Sequence, residues 1–264
     1  MEDTYDVIIV GAGPAGCSTS YFLSKQGIKH ALLDKSEFPR DKICGDAISG
    51  KTIHVLQQYD KEWANAIFDK KKECLDSWGL RIISPKLEML EIPFSMPGKK
   101  LKHAPGLVSK RLDFDNILVN KLDAKYCTFI EGAKIKSINR NESIEIEFET
   151  NDKRSQKIYS EIVIGADGAR SVVKKSFLDE PLDRKHHCAG VRAYFEGVRG
   201  MHEKNYIELH FLKEVNPGYF WIFPLPDGKA NIGLGILSKD VSDKKIDLKK
   251  CLSDIVIKNP LLKE

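Results

Sequence analysis

The chain has 264 residues, of which 42% are hydrophobic and 30% are charged, and its net charge is +4. This composition can build a core of ordinary size in one large or two ordinary domains. The mild net charge argues against a dedicated nucleic-acid-binding protein, whose basic residues would be concentrated on one face. The longest apolar runs are shorter than the roughly 20 residues of a membrane-spanning helix. We also expect no secretory signal, because the start Met1-Glu-Asp is acidic and the first strand starts almost at once. We therefore expect a cytoplasmic protein, with peripheral contact to a membrane left open.

Six cysteines are spread along the chain without a C-x-x-C pair or a short repeated spacing. This pattern favours free thiols in a reducing cytoplasm over a disulfide framework or a zinc site. The run His186-His187-Cys188 does not change that expectation, because adjacent residues of a strand point to opposite faces. We predict no metal site.

The first 35 residues predict a dinucleotide-binding βαβ unit. Its parts, in order, are an apolar strand over Val7–Val10, glycines 11, 13 and 16 in the spacing G-x-G-x-x-G, a helix over 17–26 and a strand over 30–33 that ends at Asp34. A glycine pattern alone is weak evidence for a nucleotide site. Here, however, the first strand, the helix, the second strand and the terminal acid all follow at the expected spacing. This context indicates a dinucleotide site.

Each position of the motif has a physical role. Gly11 allows the chain to turn sharply off the strand, Gly13 leaves the backbone open to a pyrophosphate, and Gly16 permits close packing of helix and strand. The free N–H groups at the helix N-terminus attract the phosphates. Asp34 is placed to accept hydrogen bonds from an adenosine ribose.

Residues 35–50 predict a long ordered loop, because Pro39 and Gly45 interrupt any regular element. Loops of this length inside compact domains are usually functional. Arg40 is suited to a phosphate, and Cys44 with Gly45 would bring a thiol and backbone against a flat ring. A solvated basic loop with an incidental cysteine is the alternative, and the residues leave both open.

The middle of the chain predicts mixed helices and strands. The predicted helices cover 51–58, 61–72 and 110–122, and the predicted strands cover segments of 74–94 and then 106–109, 127–130, 133–139, 142–150 and 157–160. On the helix over 110–122, an apolar stripe is expected to pack inward; it consists of Leu112, Ile117, Leu118 and Leu122.

A second glycine-rich turn follows a second hydrophobic strand. Residues 161–165 predict the strand, Gly165-Ala-Asp-Gly168 the turn, and 171–177 a helix. Asp167 and Gly168 would lie at the carboxyl end of the strand, where open α/β sheets bind ligands.

The last third of the chain predicts an antiparallel sheet followed by a helix. The strands cover 189–195, 205–212, 218–225 and 229–237, with a hairpin turn at 226–228. Tyr219, Trp221 and Phe223 alternate with other residues, which puts three aromatic rings on one face. The helix over 242–258 is amphipathic and basic; we expect it to face the core, and lying on anionic lipid is the alternative.

Four motifs, in this order, resemble one group of flavoproteins. The glycine motif, the run Arg40-x-Lys42-x-Cys44-Gly45 and Gly165-Ala-Asp-Gly168 are shared with flavoproteins related to p-hydroxybenzoate hydroxylase. The run Tyr219-Phe-Trp221-Ile-Phe223-Pro224, followed by Gly233-Leu-Gly235, resembles the Y-x-W-x-F-P…G-x-G signature of the geranylgeranyl reductase family. An aromatic-rich core strand is the alternative reading of that signature.

The resemblance implies an FAD-dependent oxidoreductase that reduces isoprenoid double bonds of a lipid, quinone or pigment precursor, with NAD(P)H or another reductant as electron donor. The implied cofactor contacts are Gly11, Gly13, Pro14, Ala15, Gly16, Asp34, Lys35, Arg40, Cys44, Gly45, Arg111, Asp167 and Gly168. The implied substrate contacts are Tyr219, Trp221, Phe223, Pro224, Gly233 and Gly235. Cys44 is a candidate catalytic proton donor or redox modulator, and a small buried hydrophobe is the alternative.

The predicted fold is α/β. A Rossmann-like FAD-binding domain, over 1–60 and 105–185, is combined with an inserted and following antiparallel β-sheet substrate domain, over 61–104 and 186–264. Two other functions stay open: a flavin-dependent monooxygenase or halogenase acting on an aromatic substrate, which shares the first three motifs, and a non-catalytic flavin-binding fragment. Family members continue to a third flavin motif, Gly-Asp-Ala, which is not found after Gly235. We therefore expect this chain to lack the family's C-terminal part and to retain FAD weakly.

Overall fold

The structure is a computed structural model that describes residues 3–70, 72–95, 98, 101–178, 180, 183 and 185–259. Its strands are β1 (Asp3–Val10), β2 (His30–Leu33), β3 (Ala47–Ile48), β4 (Cys74–Ser77), β5 (Gly79–Ile83), β6 (Met89–Pro93), β7 (Gly106–Ser109), β8 (Cys127–Ile130), β9 (Lys134–Arg140), β10 (Ile144–Glu149), β11 (Ser155–Gly165), β12 (Cys188–Phe195), β13 (Ile207–His210), β14 (Gly218–Leu225) and β15 (Lys229–Leu237). Its α-helices are α1 (Pro14–Lys25), α2 (Gly50–Tyr59), α3 (Lys61–Phe68), α4 (Arg111–Val119), α5 (Val172–Phe177), α6 (Ser238–Asp243) and α7 (Leu248–Lys258).

The chain divides into two compact units. Unit 1 comprises Met1–Asp41 and Leu112–Pro181, and unit 2 comprises Lys42–Arg111 and Leu182–Glu264. Both units are therefore discontinuous in sequence. The domain boundaries expected from the sequence stay a prediction.

Unit 1 is built on a six-stranded sheet in the order β8-β2-β1-β11-β10-β9. The apolar strand β1 lies at its centre and runs parallel to β2 and β11, as its burial on both faces requires. In this register Val10 lies opposite both Leu33 and Gly165, the last residues of the two neighbouring strands. The carboxyl ends of β1, β2 and β11 thus meet at one edge of the sheet.

The strand β11 is longer than expected. Two separate strands, over 157–160 and 161–165, were predicted, and the structure has one continuous strand over Ser155–Gly165. Its first half pairs with β10, and the residues from Ile158 to Gly165 pair with β1. Pairing with two neighbours keeps the strand extended past the polar residues at 160 and 161.

The prediction of which residues of α4 face the core is partly wrong. Leu118 is buried as expected, but Leu112 is 36% exposed, and the other buried positions are Phe114 and Asp115. The inward face therefore contains a charged residue, which a search for an apolar stripe cannot select. The ion pair that Asp115 makes, described below, explains its burial.

A buried histidine joins α1 to β2. His30 has no exposed surface, its Nε2 lies 2.7 Å from the Ser20 hydroxyl, and its Nδ1 lies 2.9 Å from the Ile28 carbonyl oxygen. Because a carbonyl only accepts, Nδ1 carries the proton and the Ser20 hydroxyl donates to Nε2. Burial lowers the pKa of His30, since the charged imidazolium would lose its hydration.

We expect acid to destabilise the protein through His30. A histidine whose pKa is lowered by folding stabilises the protein above its unfolded pKa of about 6.5, and this stability is lost as the pH falls below that value. The melting temperature of the wild type should therefore fall between about pH 8 and about pH 5 more steeply than that of His30→Asn, which keeps a donor for Ile28. The matched control is His54→Asn at an exposed position. Equal pH slopes for the wild type and His30→Asn would contradict this.

Unit 2 is built on a second six-stranded sheet, in the order β12-β15-β14-β13-β5-β6. The predicted antiparallel strands are present, and the turn at 226–228 joins β14 to β15, with Asp227 and Gly228 both at positive φ. One pairing differs from the prediction, because β13 and β5 run parallel. The strand β5 comes from the segment inserted between the two parts of unit 1, so a simple hairpin connection to β13 is not available. A small sheet, β3-β7-β4, completes the unit.

The helix predicted over 242–258 is wrong in its first part: α6 covers Ser238–Asp243, a break follows, and α7 covers Leu248–Lys258. The break follows from Lys245, which adopts a left-handed φ of 50°, and from Asp247, whose carboxylate accepts hydrogen bonds from Lys249 N and Lys250 N at the start of α7. The helix α7 buries Leu252 and Ile255 in the core of unit 2, so its predicted core-facing orientation is confirmed. None of the helices among the described residues combines the length and apolar character needed to span a bilayer.

Candidate functional site

The glycine turn after β1 is too crowded for side chains at two positions. Gly11 has a φ of 101°, and a Cβ on it would lie 2.5 Å from the Ala166 carbonyl oxygen. A Cβ on Gly16 would overlap the Gly11 carbonyl oxygen. Only glycine fits both positions, so α1 starts directly against the turn.

The N-terminus of α1 is open to an anion. Gly13 is the N-cap residue and Pro14 takes the first helical position; among the described residues no side chain caps this end, and its first turn carries no acid. The first N–H groups of a helix have no partner inside it, and the helix dipole adds positive potential there. Ala15 is exposed at this end. The arrangement suits a phosphate group.

Asp34 at the end of β2 holds the glycine turn in place. One carboxylate oxygen, Oδ2, accepts a hydrogen bond from Ala12 N at 2.8 Å, and Oδ1 accepts one from Ser36 N at 2.9 Å. The residue is only 8% exposed. Each oxygen keeps a second lone pair, so the predicted contact with a ribose stays a prediction. Lys35, beside it, is exposed.

Arg40 lies between two carboxylates of unit 1. Its guanidinium donates to Asp115 Oδ2 at 2.9 Å and lies 3.8 Å from Asp34 Oδ2. Asp115 is fully buried, and the sequence analysis missed it because its partner is 75 residues away. A buried acid of this kind is stable only when paired. The guanidinium of Arg40 is thus already engaged with two carboxylates. Its predicted contact with a cofactor stays a prediction.

The acids also affect a neighbouring thiol. Burial, followed by the charge of Asp115, raises the pKa of Cys17 to about 12. Its Sγ donates to the Ala12 carbonyl oxygen at 3.3 Å. Cys17 is therefore an unreactive thiol that packs beneath the glycine turn.

Asp167 follows the end of β11 by two residues, at the same edge of the sheet. Its Oδ2 accepts a hydrogen bond at 2.5 Å from the N–H group of Val172, the first residue of α5, and Ser171 is the N-cap of that helix. Its Oδ1 is buried and has no hydrogen-bond partner among the described residues. Gly168, with a φ of 79°, has open space where a Cβ would stand. The edge thus holds a buried acceptor without a partner among the described residues and, at Gly168, an uncovered stretch of backbone beside the glycine turn.

In unit 2, the segment Cys44–Gly45 packs against aromatic rings. A Cβ on Gly45 would lie 2.7 Å from Phe223 Cε2 and 3.6 Å from Trp221 Cε2. Cys44 is half-buried, and its carbonyl oxygen accepts a hydrogen bond from Asn231 Nδ2 at 2.8 Å. The absence of a side chain at Gly45 is what allows the backbone to approach the rings.

Tyr219, Trp221 and Phe223 form a row of rings on one face of β14. Their neighbouring centroids are 6.0 and 6.1 Å apart. Tyr219 is 41% exposed, whereas Trp221 and Phe223 are 8% and 7% exposed, so the row runs from the surface into the unit. The alternation predicted from the sequence is therefore present.

The glycines of β15 make room for the indole of Trp221. A Cβ on Gly233 would collide with Trp221 Cζ2 and with the Val191 carbonyl oxygen, whereas one on Gly235 would have its nearest neighbours at 3.9 Å. Gly233 thus lies beneath the indole. The structure does not test whether Gly233 contacts a substrate. The same holds for Pro224, which is buried.

Three polar residues near the rings escaped the sequence analysis. The Tyr194 hydroxyl and Asn231 Nδ2 both donate to Asp46 Oδ2, although the three residues are far apart in sequence. The predicted cofactor residue Arg111 joins this group through its backbone, since its N–H donates to Asp46 Oδ1 at 3.3 Å. The only sign of this group in the sequence was the position of Asp46 directly after the predicted site residues Cys44 and Gly45.

Unit 1 has the features of a dinucleotide-binding protein: parallel strands, a glycine turn, an open helix N-terminus and acids at one sheet edge. The family model described as "FAD binding domain" matches residues 4–186, and the one described as "Geranylgeranyl reductase catalytic domain" matches residues 188–263. The chain belongs to the FAD-binding domain family. The predicted α/β flavoprotein fold, the cofactor FAD and the resemblance to geranylgeranyl reductases are confirmed.

Similar proteins point in the same direction. A digeranylgeranylglycerophospholipid reductase of Methanococcoides burtonii is 30% identical over 98% of this chain, which spans 61% of that relative. A geranylgeranyl bacteriochlorophyll reductase-like protein of Thermoplasma acidophilum has a TM-score of 0.78 at 21% identity, and the match covers 99% of this chain and 64% of that protein. A myxobacterial chondrochloren halogenase has a TM-score of 0.82 at 18% identity, and the match covers 99% of this chain and 59% of the halogenase chain. The two structural matches establish the fold alone.

Proposed function

We propose that this chain takes part in the FAD-dependent reduction of isoprenoid double bonds, with a prenylated lipid as the substrate class. The observation that carries the proposal is the row of rings at Tyr219, Trp221 and Phe223. It lies in the segment that matches the geranylgeranyl reductase catalytic domain, and it runs from an exposed ring to buried ones. Such a surface binds a long apolar chain by buried area, at about 25 cal/mol per Å².

The residues of unit 1 fit the cofactor. The open N-terminus of α1 and the glycine turn would hold the FAD pyrophosphate, and Asp34 would bind its ribose. Arg40 would contact the cofactor, and Asp167 with Gly168 would bind its nucleotide side. The predicted cofactor contact of Arg111, a residue of unit 2, stays a prediction. When bound and reduced by NAD(P)H or another reductant, FAD supplies the hydride for alkene reduction. The aromatic residues of unit 2 would exclude water from the reacting chain.

A prenylated lipid resides in a membrane, so the proposal includes peripheral contact with a membrane surface. Exposed apolar side chains on the edge strand β6 support this part. Met89 is 53% exposed and Leu90 is 57% exposed. Side chains of this kind insert readily into the boundary between headgroups and acyl chains.

The proposal is tested by the product. The protein is supplied with FAD, a reductant and a geranylgeranyl phospholipid without oxygen, and the lipid is analysed by mass spectrometry. We expect a mass gain of two hydrogen atoms for each double bond reduced. The rival function, a monooxygenase or halogenase, predicts no gain in lipid mass. In a separate assay with oxygen present, it predicts an NAD(P)H-driven oxygen uptake that a phenolic compound stimulates. A flavin-loaded sample with neither activity would support a non-catalytic fragment.

We further propose Cys44 as the proton donor to the second alkene carbon. The carbonyl oxygen of Cys44 is engaged with Asn231, and replacement of its side chain leaves that contact in place. Cys44→Ala is therefore expected to keep FAD affinity and to lower turnover by about 100-fold, the usual effect of losing a general acid. Cys44→Ser, which keeps an O–H group, is the matched control and should lose less. Normal turnover of Cys44→Ala would remove the thiol from the mechanism.

A further inference from the structure

Asn231 uses every hydrogen-bonding group of its side chain inside unit 2. Its Nδ2 donates to the Cys44 carbonyl oxygen at 2.8 Å and to Asp46 Oδ2 at 2.7 Å, and its Oδ1 accepts from Trp221 Nε1 at 2.9 Å. The residue is fully buried. The indole N–H only donates and the two oxygens only accept, so the amide orientation is determined by its partners. Asn231 therefore links the loop at 44–46 to the aromatic row.

Asp46 is the acid at the other end of this link. It is 1% exposed, its Oδ2 accepts from the Tyr194 hydroxyl at 2.9 Å as well as from Asn231, and its own carbonyl oxygen accepts from Ser109 N at 2.9 Å. Its backbone has a left-handed φ of 70°. Aspartate tolerates this conformation better than most residues. The side chain thus joins the loop to β12 and β15 at once.

Two cations lie near the ring of Tyr194, whose hydroxyl donates to Asp46. On β12, the Arg192 guanidinium carbon lies 4.0 Å from the centre of the Tyr194 ring, and before α4 the Lys110 ammonium lies 5.0 Å from the same ring. Burial raises the pKa of Asp46, while Asn231, Tyr194 and the charge of Arg192 oppose that rise. A carboxyl in such a balance changes its hydrogen bonding when it gains or loses a proton.

We propose that Asp46 and Asn231 are positioning residues that hold the Cys44–Gly45 backbone and the Trp221 indole in one fixed arrangement. The chain of contacts runs from the Asp46 carboxyl through the Asn231 amide to Trp221 Nε1. A change of charge at Asp46 is therefore transmitted to the indole. Its consequence for substrate binding rests on the proposed function, whereas the coupling itself does not.

Nuclear magnetic resonance of the indole N–H groups in the full 264-residue chain tests the coupling. The chain has three tryptophans, and Trp221→Phe identifies the signal of Trp221. We expect this signal to shift with pH, with a midpoint above the ordinary aspartate value of about 3.9. In Asp46→Asn, which keeps an acceptor for Asn231 at the same position, the shift should vanish.

Two further variants make the test selective. Tyr194→Phe removes one donor to the carboxylate and should move the midpoint upward by about one pH unit. Asp227→Asn, the same change in the β14–β15 turn, should leave the titration unchanged. A Trp221 signal that is flat in the wild type, or that titrates equally in Asp46→Asn, would overturn the proposal. Since neither FAD nor a prenyl lipid is needed, failure of the reductase assay would leave this result intact and would count against the proposed function alone.

Discussion

Gly11→Ala is expected to be among the most damaging single changes in unit 1. Alanine at a φ of 101° is strained, and its Cβ would lie 2.5 Å from the Ala166 carbonyl oxygen and 2.9 Å from Asp167 Cα. Both neighbours are backbone atoms that cannot rotate away. Strain and overpacking together should lower the free energy of unfolding by about 3 kcal/mol. FAD affinity should fall as well, because the turn and the N-terminus of α1 would separate.

The matched control for Gly11→Ala is Gly27→Ala at the end of α1. Gly27 also has a positive φ, of 73°, but the nearest atom to its Cβ would be 3.8 Å away, at ordinary contact distance. This variant should lose about 1 kcal/mol and keep its FAD affinity. Urea unfolding and FAD titration measure both effects. Equal losses in the two variants would show that crowding at the glycine turn is not what matters.

Gly233→Ala is expected to disrupt the aromatic row, whereas Gly235→Ala is not. A Cβ at Gly233 would collide with the Trp221 indole and with the Val191 carbonyl oxygen, and at Gly235 it would fit. We expect a loss of about 2 kcal/mol or more in the free energy of unfolding for Gly233→Ala, and a change within about 0.5 kcal/mol for Gly235→Ala. Both glycines belong to the same G-x-G motif, so they form a matched pair.

The pair is measured by urea unfolding together with Trp221 fluorescence in a Trp63→Phe, Trp78→Phe background. Only Gly233→Ala should shift the emission of Trp221, because only there must the ring move. If the two variants behaved alike, the packing of the indole over β15 would not be the reason for the glycines. An effect of Gly235→Ala on prenyl-lipid affinity without an effect on stability would support the predicted substrate contact at that position.

Local patterns predicted a strand of the glycine-turn region and the two strands around the aromatic row. The strand β2 and the strands β14 and β15 have the bounds expected from the sequence, because apolar runs there are delimited by turn residues. The inward face of α4 was not predictable in the same way. It depends on Asp115, whose burial requires Arg40 from a distant part of unit 1.

The same limit applies to unit 2. The contact between Asn231 and Asp46 joins residues 185 positions apart, and nothing in the neighbourhood of Asn231 marks it as polar core. The break between α6 and α7 depends on one left-handed lysine, Lys245, in an otherwise helical pattern. Hydrophobic periodicity reports which side of an element is apolar. It does not report which polar side chain finds a partner.

The proposed function, FAD-dependent reduction of isoprenoid chains, is tested most directly by a single turnover without oxygen. FAD bound to the protein is reduced chemically, a geranylgeranyl phospholipid is added, and the flavin absorbance is followed together with the lipid mass. We expect the oxidised-flavin absorbance to return only when the lipid is present, with a matching gain of two hydrogen atoms per flavin reoxidised. Flavin that stays reduced, or that is reoxidised without any change in lipid mass, would contradict it.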